Sequence, residues 1–251
     1  MANQSSTNQV SRPIAGFHPC HWGDHFLNLT HHDEEILVEK EQEIYQLKVE
    51  VSKLLAAAQE PLVQLTFIDT LERLGVSYHF EEEIEQALEL AYERFHGDCE
   101  NADLNHVSLR FRIFRQHGFH VPCDVFNKFK DENERFKESL TSDVQGMLSL
   151  YEASYVRVDD DKILDDALAF TTPHLIAMSN NLSSPLADLV PHALHQPLHL
   201  GIPRVEARFY ISIYEKDPSH NQLVLQFAKV DFNFVQSLHQ RELKELKRYS
   251  V

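Results

Sequence analysis

The sequence predicts an all-α protein built as a bundle of about ten helices. Apolar residues recur at steps of three and four through most of the 251 residues, which is the spacing of amphipathic helices. No stretch alternates apolar and polar residues as a half-buried strand does. Glycine is scarce, with only 7 residues, so few positions suit tight hairpins. Glycine and proline instead separate helical segments at uneven spacing, which disfavours a tandem-repeat array.

Composition and charge exclude several classes of function. The formal net charge of −16 disfavours nucleic acid and anionic membranes as partners. Cys20, Cys99 and Cys123 lie far apart and form no C-x-x-C pair, which indicates a reducing compartment rather than a disulfide framework. The first residues lack the basic and apolar regions of a secretory signal, and no apolar run approaches the roughly 20 residues that span a bilayer. We therefore expect a cytoplasmic protein.

The chain divides into a predicted strap at residues 1–29 and a predicted helical domain at residues 30–251. The strap is irregular, with two prolines and scattered apolar anchors such as Trp22. Thr30 or Asp33 can cap the first helix, which then has no proline until Pro61. Further helices are predicted at residues 61–74, 80–95, 105–117, 142–155, 162–180, 185–194, 203–216 and 221–249.

The last predicted helix, residues 221–249, is the most informative segment. One apolar face recurs at helical spacing and consists of Leu223, Phe227, Val230, Phe234 and Leu238. Other apolar residues cover much of the remaining circumference, and such a helix needs cover on more than one side. Upstream helices supply one side. We expect the other side to meet a second body that the chain does not contain.

An acidic cluster is the strongest candidate for a metal site. Asp159, Asp160 and Asp161 are followed by Asp165 and Asp166, and clustered carboxylates can bind Mg²⁺. Aspartates at a helix start also cap free amides and complement the helix dipole. Neither D-D-x-x-D nor D-x-D-D can be formed from these residues, so the spacing favours the structural interpretation.

Histidines and cysteines offer weaker candidates for chemistry. Two histidine groups have spacings at which zinc ligands occur: His18, His21 and His25 beside Cys20, and His192, His195 and His199. With 16 histidines in the chain, surface or capping roles are favoured. Cys20 with His21, and Cys123 with His120, are candidate pairs of nucleophile and general base. Residues so close in the sequence seldom adopt the geometry that nucleophilic catalysis needs. The sequence contains no nucleophile elbow, phosphate-binding loop or dinucleotide fingerprint.

Several long stretches, in order, resemble a known family. The strap reads RPIAGFHPCHWGD, an R-P-x8-W pattern from Arg12 and Pro13 to Trp22. It is followed by SLRFRIFRQHGF, CDVFNKFKDENERFKESLTSDVQGMLSLYEAS, ILDDALAFTT, LHQPLHLGIPRVEARFYISIYEKD and LVLQFAKVDFNFVQSLHQRELKEL. Together these resemble the amino-terminal domain of plant terpene synthases, specifically the sesquiterpene synthases of the cytosol.

The resemblance implies an α-barrel-like domain that usually lacks chemistry of its own. In that family a second, class I domain ionises a prenyl diphosphate, farnesyl diphosphate in cytosolic members, with Mg²⁺ held by D-D-x-x-D and a second metal motif. The strap lies over the mouth of that pocket, which implies a capping role for Arg12, Pro13 and Trp22. This chain lacks both metal motifs and the D-x-D-D acid. We expect no cofactor in it, although the complete family enzyme uses Mg²⁺.

These observations lead to three hypotheses. The first is the non-catalytic amino-terminal domain of a sesquiterpene-synthase-like protein, truncated before its catalytic domain and inactive alone. The second is a half that works with that domain in cis or in trans, docked on the face of Leu223, Phe227, Val230, Phe234 and Leu238. The third is a stand-alone helical interaction module. We also expect self-association through exposed apolar surface.

Overall fold

The structure is a computed structural model that describes residues 23, 25, 27, 34–94 and 102–248, apart from the side chains of 34–36 and 247–248. Nine α-helices lie in this part of the chain. Their bounds are α1 Glu34–Ala57, α2 Pro61–Arg73, α3 Glu81–Arg94, α4 Leu104–Gln116, α5 Val144–Ser154, α6 Lys162–Met178, α7 Leu186–His195, α8 Pro203–Tyr214 and α9 Gln222–Arg248. Short 3₁₀ helices occupy Ser77–His79, Cys123–Phe129, Glu138–Ser142, Ser179–Asn181 and Leu198–Leu200.

The all-α prediction is confirmed. Within the described ranges no strand forms, and the single β-bridge joins Lys130 to Phe136. Of the helices in these ranges, none is long and apolar enough to cross a membrane.

Helix α2 shows how local sequence fixes the ends of a helix. Pro61 opens it, and the Glu60 side chain accepts hydrogen bonds from the first free backbone N–H groups. Gly75 follows its carboxyl end with φ of +73°, a left-handed conformation that glycine adopts without steric cost. A Cβ at this glycine would lie 2.8 Å from the Ala207 Cβ. Glycine is therefore needed both for the turn and for the close approach of α8.

The interior consists of two apolar clusters. The larger is formed mainly by α1 to α4 and the first half of α9, and it includes Val51, Ile68, Leu88 and Phe227. The smaller lies between α5, α6 and α7. Helix α5 joins the two clusters, because all its residues from Gly146 to Ser154 are buried.

A buried ionic quartet links α2, α4 and α5. Arg112, whose side chain is 2% exposed, places Nη2 2.5 Å from Asp69 Oδ1. Arg73 donates from Nε to Asp69 Oδ2 at 2.9 Å and also pairs with Glu152 on α5. Burial opposes ionisation of Asp69, but the two arginines outweigh it and hold the pKa of that carboxyl below its ordinary value. The quartet thus fixes three helices through charges that each have a partner.

Candidate docking groove

The apolar face predicted on the last helix is divided in the structure. Phe227 is 0% exposed and belongs to the main core, so its side chain is not available to an external partner. Leu223, Val230 and Phe234 are partly buried and pack against the same core. Leu238, near the carboxyl end, is half-buried and lines an open groove together with Phe234. Much of the predicted face is therefore covered by the chain itself.

The outward side of α9 is mostly polar, and within the described helix the expected exposed apolar side chains occur only near its carboxyl end, at Leu243 and Leu246. Its exposed positions include Gln226, Asn233, Gln236 and His239. Gln226 donates to Glu43 of α1 at 2.9 Å. Periodicity identified the apolar residues correctly, but the chain's own core already covers those in the first half of the helix.

The groove has a volume of about 700 Å³ and lies between α1, the Ser77–His79 turn, the start of α8 and the second half of α9. Its apolar lining includes Ile44, Tyr45, Pro203, Phe234, Val235 and Leu238. Its polar lining is Glu41, Lys48, Tyr78, His79, Arg204 and Asp231. An apolar concave surface with a few polar groups is typical of a binding site.

Asp231 organises one wall of the groove. Its side chain is 0% exposed and accepts a hydrogen bond from Tyr78 Oη at 2.5 Å. His79 Nε2 lies 2.9 Å from the same oxygen, and Arg204 Nη1 lies 3.4 Å from the other. Burial, together with the bond to Asp231, raises the pKa of Tyr78. One carboxylate therefore ties two distant segments to the middle of α9.

Arg204 also attaches α8 to the backbone of α9. Its Nη2 lies 3.0 Å from the carbonyl oxygen of Phe232 and 3.4 Å from that of Asp231. The guanidinium stacks 4.4 Å from the centroid of the Phe232 ring. These contacts hold Arg204 in one orientation at the groove wall.

Several exposed aromatic and aliphatic residues line the groove or adjoin its lining residues in the sequence. Tyr45 is 69% exposed on α1, and Tyr78 is 49% exposed above Asp231. Ile202 and Val205, which flank the groove residues Pro203 and Arg204, are also exposed. Sequence reasoning missed these residues. The available clue was Asp231, a lone acid among the apolar residues of FAKVDFNFV.

Three carboxylates of the acidic cluster, which was the candidate metal site, form ion pairs with basic side chains. Asp161 pairs with Arg115, Asp165 lies 3.3 Å from Arg157, and Asp166 lies 3.0 Å from Lys130. Across the described chain, no group of three or more histidine, cysteine, aspartate or glutamate residues is arranged to hold a metal ion. These carboxylates are directed to separate cations and do not fit a shared magnesium site.

Cys123 does not have the environment of a nucleophile. Its Sγ donates to Asp161 Oδ1 at 2.9 Å and accepts from Arg115 Nη2 at 3.3 Å. Burial and the bond to Asp161 raise the pKa of the thiol to about 12, so the thiolate is scarce at neutral pH.

The remaining site candidates divide into two groups. His192 lies 2.7 Å from Glu206 and stacks on Phe209, so α7 and α8 use it as a packing contact. The strap residues Arg12, Pro13 and Trp22 lie outside the described residues, as do His18, Cys20 and His21.

Comparison with known proteins identifies the class of this domain. The family model described as "Terpene synthase, N-terminal domain" matches residues 21–194, and the chain belongs to the terpene synthase family. The match ends within α7, so α8 and α9 lie beyond it. More specifically, the relatives of this chain are plant sesquiterpene synthases.

Two such relatives show how much of a complete protein the chain represents. It is 52% identical to (+)-delta-cadinene synthase isozyme XC14 of Gossypium arboreum over 98% of this chain and 44% of that protein. It is 50% identical to (-)-germacrene D synthase of Vitis vinifera over 96% of this chain and 43% of that protein. The chain thus spans less than half the length of the relatives that it matches.

Solved structures confirm the fold. Limonene synthase with 2-fluorolinalyl diphosphate superposes with a TM-score of 0.84 at 34% identity, covering 93% of this chain and 44% of that one. Isoprene synthase from Populus x canescens, in complex with three Mg²⁺ ions and dimethylallyl-S-thiolodiphosphate, gives a TM-score of 0.79 at 37% identity. That match covers 86% of this chain and 42% of the synthase.

Proposed function

We propose that this chain is the scaffold half of a sesquiterpene synthase and has no cyclase activity by itself. Its role is to dock a class I catalytic domain, in cis or in trans, in the groove between α1 and α9. The observation that carries the proposal is the position of the groove. One wall is the second half of α9, which lies beyond the matched N-terminal domain and leads towards the part that the relatives possess in addition.

The chemistry of the complete enzyme belongs to the second domain in this proposal. That domain would hold Mg²⁺ and ionise farnesyl diphosphate. The scaffold would contribute a rigid docking surface, and its strap residues Arg12, Pro13 and Trp22 would help to exclude water from the pocket. The cytosolic location stays a prediction.

The direct test is an assay of the purified chain with farnesyl diphosphate and Mg²⁺. We expect no terpene product above a protein-free blank. As a positive arm, the chain is fused to the carboxyl-terminal portion of the Gossypium arboreum relative that follows the aligned segment, and this fusion should form product. Product from the chain alone would overturn the proposed inactivity, and an inactive but folded fusion would count against the scaffold role.

The mostly polar outward side of α9 favours a second candidate, a stand-alone helical interaction module. A chain that already covers much of its last helix can fold without a catalytic domain. This alternative predicts a monodisperse monomer whose stability does not change when the catalytic portion is added. The scaffold function predicts a rise in melting temperature on addition, because a ligand that binds only the folded state stabilises it.

A further inference from the structure

Lys48 is a half-buried cation in the groove without a carboxylate partner. It lines the groove on α1, and no salt bridge or hydrogen bond reaches its ammonium group from any residue that the structure describes. The sequence of α1 explains this, because the residues three and four positions away are Tyr45, Ile44, Val51 and Ser52, none of which is acidic.

The two acidic residues of the groove do not neutralise Lys48. Asp231 is already engaged by Tyr78, His79 and Arg204. Glu41 lies seven residues away on the same helix, a rise of about 10 Å. In a chain with an excess of acids, this cation therefore lies in an apolar groove with no carboxylate paired to it.

We propose that the body that docks in the groove presents a carboxylate to Lys48, flanked by apolar side chains that cover Tyr45 and Leu238. The inference rests on the proposed function, since the docking body is the class I catalytic domain. It specifies which kinds of side chain on that domain the groove recognises. Closing an apolar surface over an unpaired ammonium carries a desolvation penalty. A facing carboxylate offsets this penalty with a charge-assisted hydrogen bond.

The exposed tyrosines support the same occupant. Tyr45 and Tyr78 line the same groove as Lys48 and expose large amphipathic rings. Tyrosine is enriched among the residues that dominate binding energy, and a charge within such a surface determines specificity. The partner is therefore expected to present an apolar ridge with one aspartate or glutamate.

The experiment measures binding between the full chain and the separately produced carboxyl-terminal portion of the Gossypium arboreum relative, using calorimetry at low and high salt. The variants are Lys48→Glu, Lys48→Gln and the charge-preserving Lys48→Arg. The matched control is Lys53→Glu, since Lys53 lies on the same helix, is exposed and pairs with Glu50, and neither residue lines the groove. It makes the same charge change away from the groove.

We expect Lys48→Glu to raise Kd at least about tenfold, Lys48→Gln to have a smaller effect, and Lys48→Arg to bind nearly as the parent does. High salt should reduce the difference between Lys48→Glu and the parent.

Equal Kd values for Lys48→Glu and Lys53→Glu would overturn the inference and leave the proposed function intact. If the parent neither binds the separate portion nor supports an active fusion, both are overturned. A dimer of the chain that persists when the catalytic portion is added in excess would show that a second copy occupies the groove in place of that domain, which also overturns the inference.

Discussion

At the scale of single residues, Asp161 shows how the environment decides between metal binding and structure. Burial disfavours its charged form. Hydrogen bonds from the Arg115 guanidinium, the Cys123 thiol and the Val158 backbone N–H outweigh that effect and lower its pKa to about 2. The contacts of this carboxylate therefore join α4 to the segment that precedes α6.

These contacts predict how the stability of the chain depends on pH. Because the pKa in the folded chain lies below the ordinary value of 3.8, Asp161 stabilises the folded state above that pH, and the contribution is lost as pH falls towards about 2. Asp161→Asn should lower the free energy of unfolding by about 2 kcal/mol at neutral pH, with the difference shrinking below pH 3.8. Urea unfolding at a series of pH values measures it.

Asp159→Asn is the control for this experiment, because Asp159 is an exposed aspartate of the same run. It should leave stability nearly unchanged at every pH. A difference between Asp161→Asn and the parent that stays constant down to the lowest pH would contradict the assigned pairing.

At the scale of elements, α9 performs two tasks along its length. Its first half fills the core, with Val224, Phe227 and Ala228 fully buried. Its second half lines the groove through Val235 and Leu238, both of which are half-buried. Asp231 lies between the two halves and receives the contacts from Tyr78, His79 and Arg204.

Two truncations separate these tasks. Phe227→Ala should destabilise the chain by about 3–5 kcal/mol, because it leaves a cavity in the core. Leu238→Ala should cost less than about 1 kcal/mol in the chain alone and instead weaken binding of the catalytic portion. Chemical denaturation and calorimetry measure the two effects. Equal losses of stability would show that α9 is not divided in this way.

The sequence predicted this helix well and its surroundings poorly. The expected bounds, residues 221–249, differ by one residue at each end from Gln222–Arg248, because apolar period and flanking polar residues are local properties. The groove was not predicted. It depends on Asp231 meeting Tyr78, which lies 153 residues earlier in the chain, and no local pattern encodes that contact. Periodicity shows which residues share a face, but not which neighbour covers it.

At the scale of the whole molecule, exposed apolar side chains occur on several helices, and four of them line the groove or adjoin its lining residues in the sequence. Tyr45, Tyr78, Ile202 and Val205 are exposed there, whereas the outward side of α9 is mostly polar. An apolar groove with exposed aromatic side chains in its lining is typical of a site of association. We therefore expect self-association of the chain alone to use the groove.

Light scattering over a range of concentrations tests this expectation. The average mass of the parent chain should rise with concentration, while the double variant Tyr45→Ser, Ile202→Ser should remain a monomer. Val63→Ser is the control, because Val63 is an exposed apolar residue of α2 that does not line the groove. A parent chain that stays monomeric at high concentration contradicts the prediction, and so does a control that abolishes association.

The buried quartet of Asp69, Arg73, Arg112 and Glu152 has a consequence for how this sequence can vary. Loss of any one member would strand an opposite charge inside the protein, at a cost of about 3–5 kcal/mol, which is a large part of the stability of a typical domain. Replacement of the whole set by apolar residues of similar volume carries no such penalty. Substitution of one of these residues at a time is therefore disfavoured. Related sequences should instead differ at several of the four positions together.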